Sequence, residues 1–272
     1  MRSTFLFSVF AILALPPLCH GQGRIEGLRS QPDAQSPAPV RAVPEPVTHL
    51  PSDLPQRVSG LAYDGEKFWV MIYQGGGRYA TLDPLSLGWE AGDRRAIREV
   101  AGAFQSPGGV CFAGGKLWVA GSYGESFGSI NLQDWKVERL FKGKLRDDPA
   151  SQSYASMAYD GSHLWIAWHW FNYKLPASQT QLLLKIDPET GKVVGQFPAP
   201  AGTAPDGTHG LTWDGVRLWH MKDSRLSAID PATGMVTAQY VLEQIARPSG
   251  LAWDGEALWI VEFGGAVWRL RL

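Results

Sequence analysis

The chain has 272 residues and a formal net charge of -1. That length allows one large β domain or two small ones. The lack of a basic excess argues against nucleic acid or an anionic membrane surface as the main partner. Twelve Trp and 31 Gly beside only 19% charged residues suit many short strands joined by tight turns.

Arg2 is followed by an apolar run from Phe5 to Leu15, then Pro16, Pro17 and Cys19-His20-Gly21. This is the pattern of a cleavable export signal over residues 1–21, too short to span a bilayer, and no later stretch predicts an integral membrane segment in the mature chain. The expected location is the periplasm or the cell exterior. Pro16, Pro17 and Leu18 lack the small residues that favour lipidation, so no lipoprotein anchor is expected at Cys19. That leaves Cys111, which cannot form an intramolecular disulfide; its setting, Gly109-Val110-Cys111-Phe112, reads as a buried strand. Residues 22–46, rich in Pro, Ala, Ser and Gln, read as a flexible tether.

From there one pattern recurs five times. It runs Ser59-Gly-Leu-Ala-Tyr-Asp-Gly-Glu-Lys-Phe-Trp69, then Gly108 to Trp118, Ala155 to Trp165, His209 to Trp219 and Ser249 to Trp259. The five tryptophans are 49, 47, 54 and 40 residues apart, which fits four-stranded propeller blades of about 40–50 residues. Gly-Leu-Ala-Tyr predicts a short strand, and Asp-Gly supplies the positive φ angles of a two-residue hairpin. Segments such as Leu164-Trp-Ile-Ala-Trp168 predict a strand buried on both faces. A third strand ends at Asp83-Pro84, Asp187-Pro-Glu-Thr-Gly191 or Asp230-Pro-Ala-Thr-Gly234, and a more polar outer strand follows.

The last copy stops after three strands, at Leu272. Val47-Thr-His-Leu50 lies at the interval of an outer strand before Gly60, so it is expected to complete the last blade and close the ring, leaving no open sheet edge there. The predicted fold is all-β: a single propeller domain over residues 47–272, with five four-stranded blades, expected to be monomeric.

Propellers place ligands where the loops entering the innermost strand meet those joining the second strand to the third. The first set offers Arg57, Gln105, His209 and Arg247; the second offers Tyr123, Glu125, His169, Trp170, Asn172, Tyr173, Lys222, Asp223 and Glu262. These are the candidate ligand-binding residues, for a small molecule or peptide. The stretch Trp168-His-Trp-Phe-Asn-Tyr-Lys174 places aromatics at a strand-to-loop transition, where rings either stack on a ligand or cover a neighbouring blade. His169, His209 and Glu262 make a candidate two-histidine, one-carboxylate set for a divalent metal, with hydrogen-bonded channel histidines as the alternative. No cofactor is otherwise indicated. His220 stands where other copies have Val or Ile and reads as packed between blades. Asp64, Asp160, Asp214 and Asp254 read as hairpin residues.

The series Gly-Leu-Ala-Trp-Asp-Gly-x-x-Leu-Trp with Ile-Asp-Pro-x-Thr-Gly resembles the exported propellers that include the plant and bacterial glutamine cyclotransferases, and also the YVTN, NHL and lyase-type propellers. The resemblance covers roughly residues 47–272. It implies a five-bladed propeller and, in the cyclotransferase case, conversion of N-terminal glutamine to pyroglutamate. That family carries one acid in the second strand of its first blade and another before Gly-Leu in the next. Here Val70 and Gly108 fall at those places, so the groups that would move protons are missing. A binding module is therefore the leading reading, and a cyclotransferase-like or lyase-like enzyme the alternative.

Overall fold

A computed structural model describes residues 36–54, 57–72, 78–92, 100, 102–104, 107–121, 126–142, 151–171, 180–200 and 209–272, with only the backbone of 78, 151–155, 169–171, 180 and 209. Among the described residues there are five sheets, each built on four antiparallel strands. Blade 1 holds β3 (Val58–Tyr63), β4 (Phe68–Ile72), β5 (Arg78–Leu82) and β6 (Trp89–Ala91). Blade 2 holds β7 (Pro107–Ala113), β8 (Lys116–Gly121), β9 (Ser126–Ile130) and β10 (Val137–Lys142). Blade 3 is β11 (Ser151–Tyr159), β12 (Leu164–Phe171), β13 (Thr180–Ile186) and β14 (Val193–Pro198). Blade 4 is β15 (His209–Trp213), β16 (Leu218–Lys222), β17 (Arg225–Ile229) and β18 (Val236–Val241). Blade 5 is β19 (Pro248–Trp253), β20 (Leu258–Glu262), β21 (Ala266–Leu270) and, from the start of the chain, β2 (Glu45–His49).

The first strand of each blade packs against the first strands of both neighbours, from β3 through β7, β11, β15 and β19 back to β3. This five-bladed propeller is closed by the N-terminal strand. Pairing begins earlier than the pattern suggested: β2 starts at Glu45, whose carboxylate meets Arg269 at 2.9 Å. A two-residue strand, β1 (Val40–Arg41), also adds to the outer edge of β18 in parallel, with Arg41 paired to Glu243 at 2.9 Å.

Glycine lets the inner strands converge. A Cβ on Gly60 would sit 2.6 Å from the Gly108 carbonyl oxygen, one on Gly109 2.7 Å from Ser156 Cα, and one on Gly250 2.5 Å from Leu61 N. No larger residue fits at these three places without moving backbone. Buried layers between blades then form the core, as in Leu61, Phe68 and Val70 of blade 1 against Ala252, Trp259 and Val261 of blade 5.

The repeated Asp is a hairpin residue, though it acts through its carboxylate and not its φ. Asp254 Oδ1 accepts the Glu256 and Ala257 amides at 2.8 Å, and Oδ2 accepts the Trp259 indole N–H at 2.6 Å. Asp64–Trp69, Asp160–Trp165 and Asp214–Trp219 repeat the indole bond at 2.6, 2.8 and 2.7 Å. In these four turns the following Gly carries the positive φ. Blade 2 has Ala113 instead and compensates with two glycines, Gly114 and Gly115, at φ 58° and 74°. Without a carboxylate to hold the turn, both loop residues take the left-handed region.

A second repeated contact lies at the rim. Gly191 and Gly234 end the Asp-Pro-x-Thr-Gly turns at φ 69° and 73°, and Phe141 and Phe197 of the preceding blades lie over them, where a Cβ would come within 2.3 Å of each ring. Blades 1 and 2 place Leu87 (φ 55°) and Trp135 (φ 57°) at the corresponding turn positions, and Trp135 stacks on Tyr79 with ring centroids 4.2 Å apart.

Candidate functional site

The antiparallel order of every blade gathers the entries to the inner strands and the second-to-third turns at one mouth of the channel. Arg57 and Arg247 stand at the entries to β3 and β19, and both are exposed. Phe263 joins them through backbone: its N–H donates to the Arg247 carbonyl at 2.8 Å, and its carbonyl accepts the Val58 N–H at 3.1 Å. The Arg247 guanidinium lies over the Phe263 ring, 4.4 Å from its centroid.

Glu262 at the end of β20 holds this corner in place. Its Oε1 accepts the Ala246 amide at 2.8 Å and the Arg247 amide at 3.1 Å, and its Oε2 accepts the Trp268 indole N–H at 3.0 Å. The carboxylate is thus directed at a loop and an indole. Bulges in β3 and β19 displace Ser59 and Ser249 from the ladder. Their hydroxyls donate to second-strand carbonyls, Ser59 to Met71 at 3.4 Å and Ser249 to Val261 at 3.3 Å, and Ser59 also reaches Pro107 of blade 2 at 3.1 Å.

On blade 4, Lys222 is only 4% exposed, and Asp223 turns the chain at φ 52°. Lys222 pairs with His209 on β15 and with Arg225 on β17. His169 pairs with Ser153 and Gln181 on blade 3. The backbone thus brings His169 and His209 to the same end of adjacent blades, and their side chains, with that of Trp170, lie outside the described residues, as do Gln105, Tyr123, Glu125, Asn172 and Tyr173 altogether. Among the described residues no three His, Cys, Asp or Glu side chains converge as a metal set, and no helix is long and apolar enough to cross a membrane.

His220 is 1% exposed, in register with Ser227, whose hydroxyl accepts the Gln239 amide at 3.4 Å. Burial, with Lys222 nearby, pushes its pKa down to about 3, so the imidazole is neutral. Cys111 is buried, which raises its thiol pKa well above the ordinary range and keeps it from acting as a nucleophile.

At the opposite end, near the Asp hairpins, a cavity of about 100 Å³ is lined from all five blades, including Tyr63, Phe112, Tyr159, Trp213 and Trp253. The Asp64 N–H bonds Lys67 across the turn at 3.1 Å. Ladder alternation then directs the N–H and C=O of Tyr63 and Leu61 away from β4, and β3 is the edge strand of its sheet. In blade 1 those groups face the channel, where they can meet a polar partner. Sequence reasoning had placed interest only at the other mouth; the aromatic before each Asp-Gly was the available signal.

No protein-family model matches the chain, and no curated protein matches it. Among solved structures it is similar to a glutaminyl cyclase from Myxococcus xanthus, at 14% identity over 86% of this chain and 98% of that one, with a TM-score of 0.59. It also matches a catalytically inactive virginiamycin B lyase from Staphylococcus aureus, at 14% identity over 79% of this chain and 80% of that one, with a TM-score of 0.42. The first likeness is one of fold, a glutaminyl cyclase-like propeller. The places where the resemblance called for acids are occupied otherwise: Val70 is 1% exposed within the blade 1–blade 5 core, and Gly108 is buried in β7.

Proposed function

We propose that this chain is an exported binding propeller that recognises a small molecule or peptide at the mouth carrying Arg57, Arg247, Lys222 and Asp223. The observation that carries this reading is Val70. Cyclisation of an N-terminal glutamine requires its amine to lose a proton as it attacks the side-chain amide, and ammonia to leave with one. A valine buried in the same core as Leu61 and Trp259 does neither, and Gly108 offers no side chain at all. The mouth keeps charged and aromatic groups on a rigid scaffold, which suits recognition.

The test is incubation of the full chain with a glutaminyl tripeptide, following ammonia release and pyroglutamate formation, beside a thermal-shift screen of small molecules and peptides. Melting shifts without turnover are expected. Turnover that is lost when a mouth residue is changed would refute the binding reading in favour of an enzyme.

A further inference from the structure

The described arginine side chains divide by position. Arg41, Arg139, Arg217, Arg269 and Arg271 each lie within 4 Å of a carboxylate. Arg57, Arg225 and Arg247 do not, and all three stand at the mouth end of blades 1, 4 and 5. Among the described residues, guanidinium groups are ion-paired around the rim and base of the propeller, and the three without such a pair stand at the mouth. The nearby Glu262 carboxylate is directed at two amides and an indole and makes no ion pair with a described arginine. Asp53, exposed at the same end, is the remaining described acid of that corner without an ion pair.

Arg247 is also held in place. Its guanidinium lies over Phe263, its own amide is bound by Glu262, and Phe263 is hydrogen-bonded to the backbone on both sides, beside Arg247 and beside Arg57. A guanidinium fixed in plane loses little side-chain entropy on binding, and its fork matches a two-oxygen acceptor.

From this arrangement we infer that the mouth between blades 5 and 1 binds an anionic oxygen group, a carboxylate or a phosphate ester, between Arg57 and Arg247, with Phe263 as the platform. This inference rests on the binding reading above and names its ligand class. The group enters as a planar or tetrahedral anion accepting N–H bonds from both arginines, and the exposed position lets the rest of the ligand extend over the mouth.

The experiment is titration calorimetry of the full chain at low salt with N-acetylphenylalanine, its uncharged amide, and phenyl phosphate. Saturable binding of the acid or the phosphate is expected, with none for the amide. Affinity should fall as salt is raised. Arg57→Ala and Arg247→Ala should each weaken it by about tenfold or more, because each removes charge-assisted bonds, while melting temperature stays unchanged because both side chains are exposed. Arg247→Lys should recover only part, since it restores charge without the fork. Preference for the acid assigns a carboxylate ligand; preference for phenyl phosphate assigns a phosphate ester. Failure of both anions to bind, or binding that survives the double Arg57→Ala/Arg247→Ala change, overturns the anion site. A neutral molecule that binds the mouth independently of both arginines overturns it too while leaving the binding reading intact, whereas turnover of the glutaminyl peptide overturns that reading by itself.

Discussion

Removing the Asp254 carboxylate tests whether the recurring Asp–Trp pair is a main support of each blade. Asp254→Ala leaves the Trp259 indole N–H without its 2.6 Å acceptor on a residue that is 2% exposed. Of the two turn amides it also held, that of Glu256 is exposed and can bond water instead, whereas that of buried Ala257 adds to the loss of the indole bond. A hydrogen bond to a charged group is worth about 1.5–3 kcal/mol. For a domain of this size, each kcal/mol moves the melting temperature by about 2–4 °C. Asp254→Ala should therefore lower Tm by about 3–12 °C. Trp259→Phe deletes the donor and some packing, and the double variant should be destabilised by about 1.5–3 kcal/mol less than the two single losses together, because each single change already breaks the shared bond. Chemical denaturation of the four proteins, with Glu256→Ala as an exposed control, supplies the cycle. Additivity within about 0.5 kcal/mol would refute the pairing as a source of stability.

His220 gives a pH dependence with a defined sign. Its folded pKa of about 3 lies below the unfolded value near 6.5, so the stability is fully present above pH 6.5 and is lost as pH falls, at about 1.4 kcal/mol per unit. His220→Val should flatten the Tm–pH curve between pH 6.5 and about pH 4, and an unchanged slope would assign the dependence elsewhere. Asp160 and Asp214 act lower on the scale: burial raises them, but the indole and amide donors outweigh it and hold both below the usual carboxylate range, so their contribution persists until pH falls under about 4. Leu87→Gly, at φ 55° on an exposed turn, should raise stability by about 0.5–1 kcal/mol. Trp135→Gly at the matching position should lower it, because the ring stacks on Tyr79; equal effects in denaturant titrations would contradict that contrast. Deleting residues 1–41 should cost little, since among the described residues it removes one two-residue edge strand, whereas deleting 1–49 removes β2 and should leave a protein that aggregates when gently heated, read by light scattering.

The candidate site was legible in part. Arg57, Arg247, Lys222, Asp223 and Glu262 could be placed at one mouth because a propeller's loops follow from its repeat. That Glu262 turns toward the Arg247 amide was not legible, since the two are fifteen residues apart in sequence and meet only through the β19–β20 hairpin and its neighbours. Lys222 looked like a loop cation and is buried. The five-walled cavity near Tyr63 and Trp253 is marked in the sequence only by the aromatic before each Asp-Gly, a residue that a packed blade explains equally well.

The amino-acid sequence by itself determined the blade count, the hairpins and the closing strand. Those follow from local chemistry: Gly where φ must be positive, Asp where amides need an acceptor, apolar runs where a strand is covered on both faces. The tertiary structure alone decided the bulges that occupy Ser59 and Ser249, the parallel addition of Val40–Arg41 to blade 4, and the turn of the Glu262 carboxylate toward the Arg247 loop. Each of these depends on which distant strand lies alongside. Packing sets that neighbour, and the residues' own propensities do not specify it.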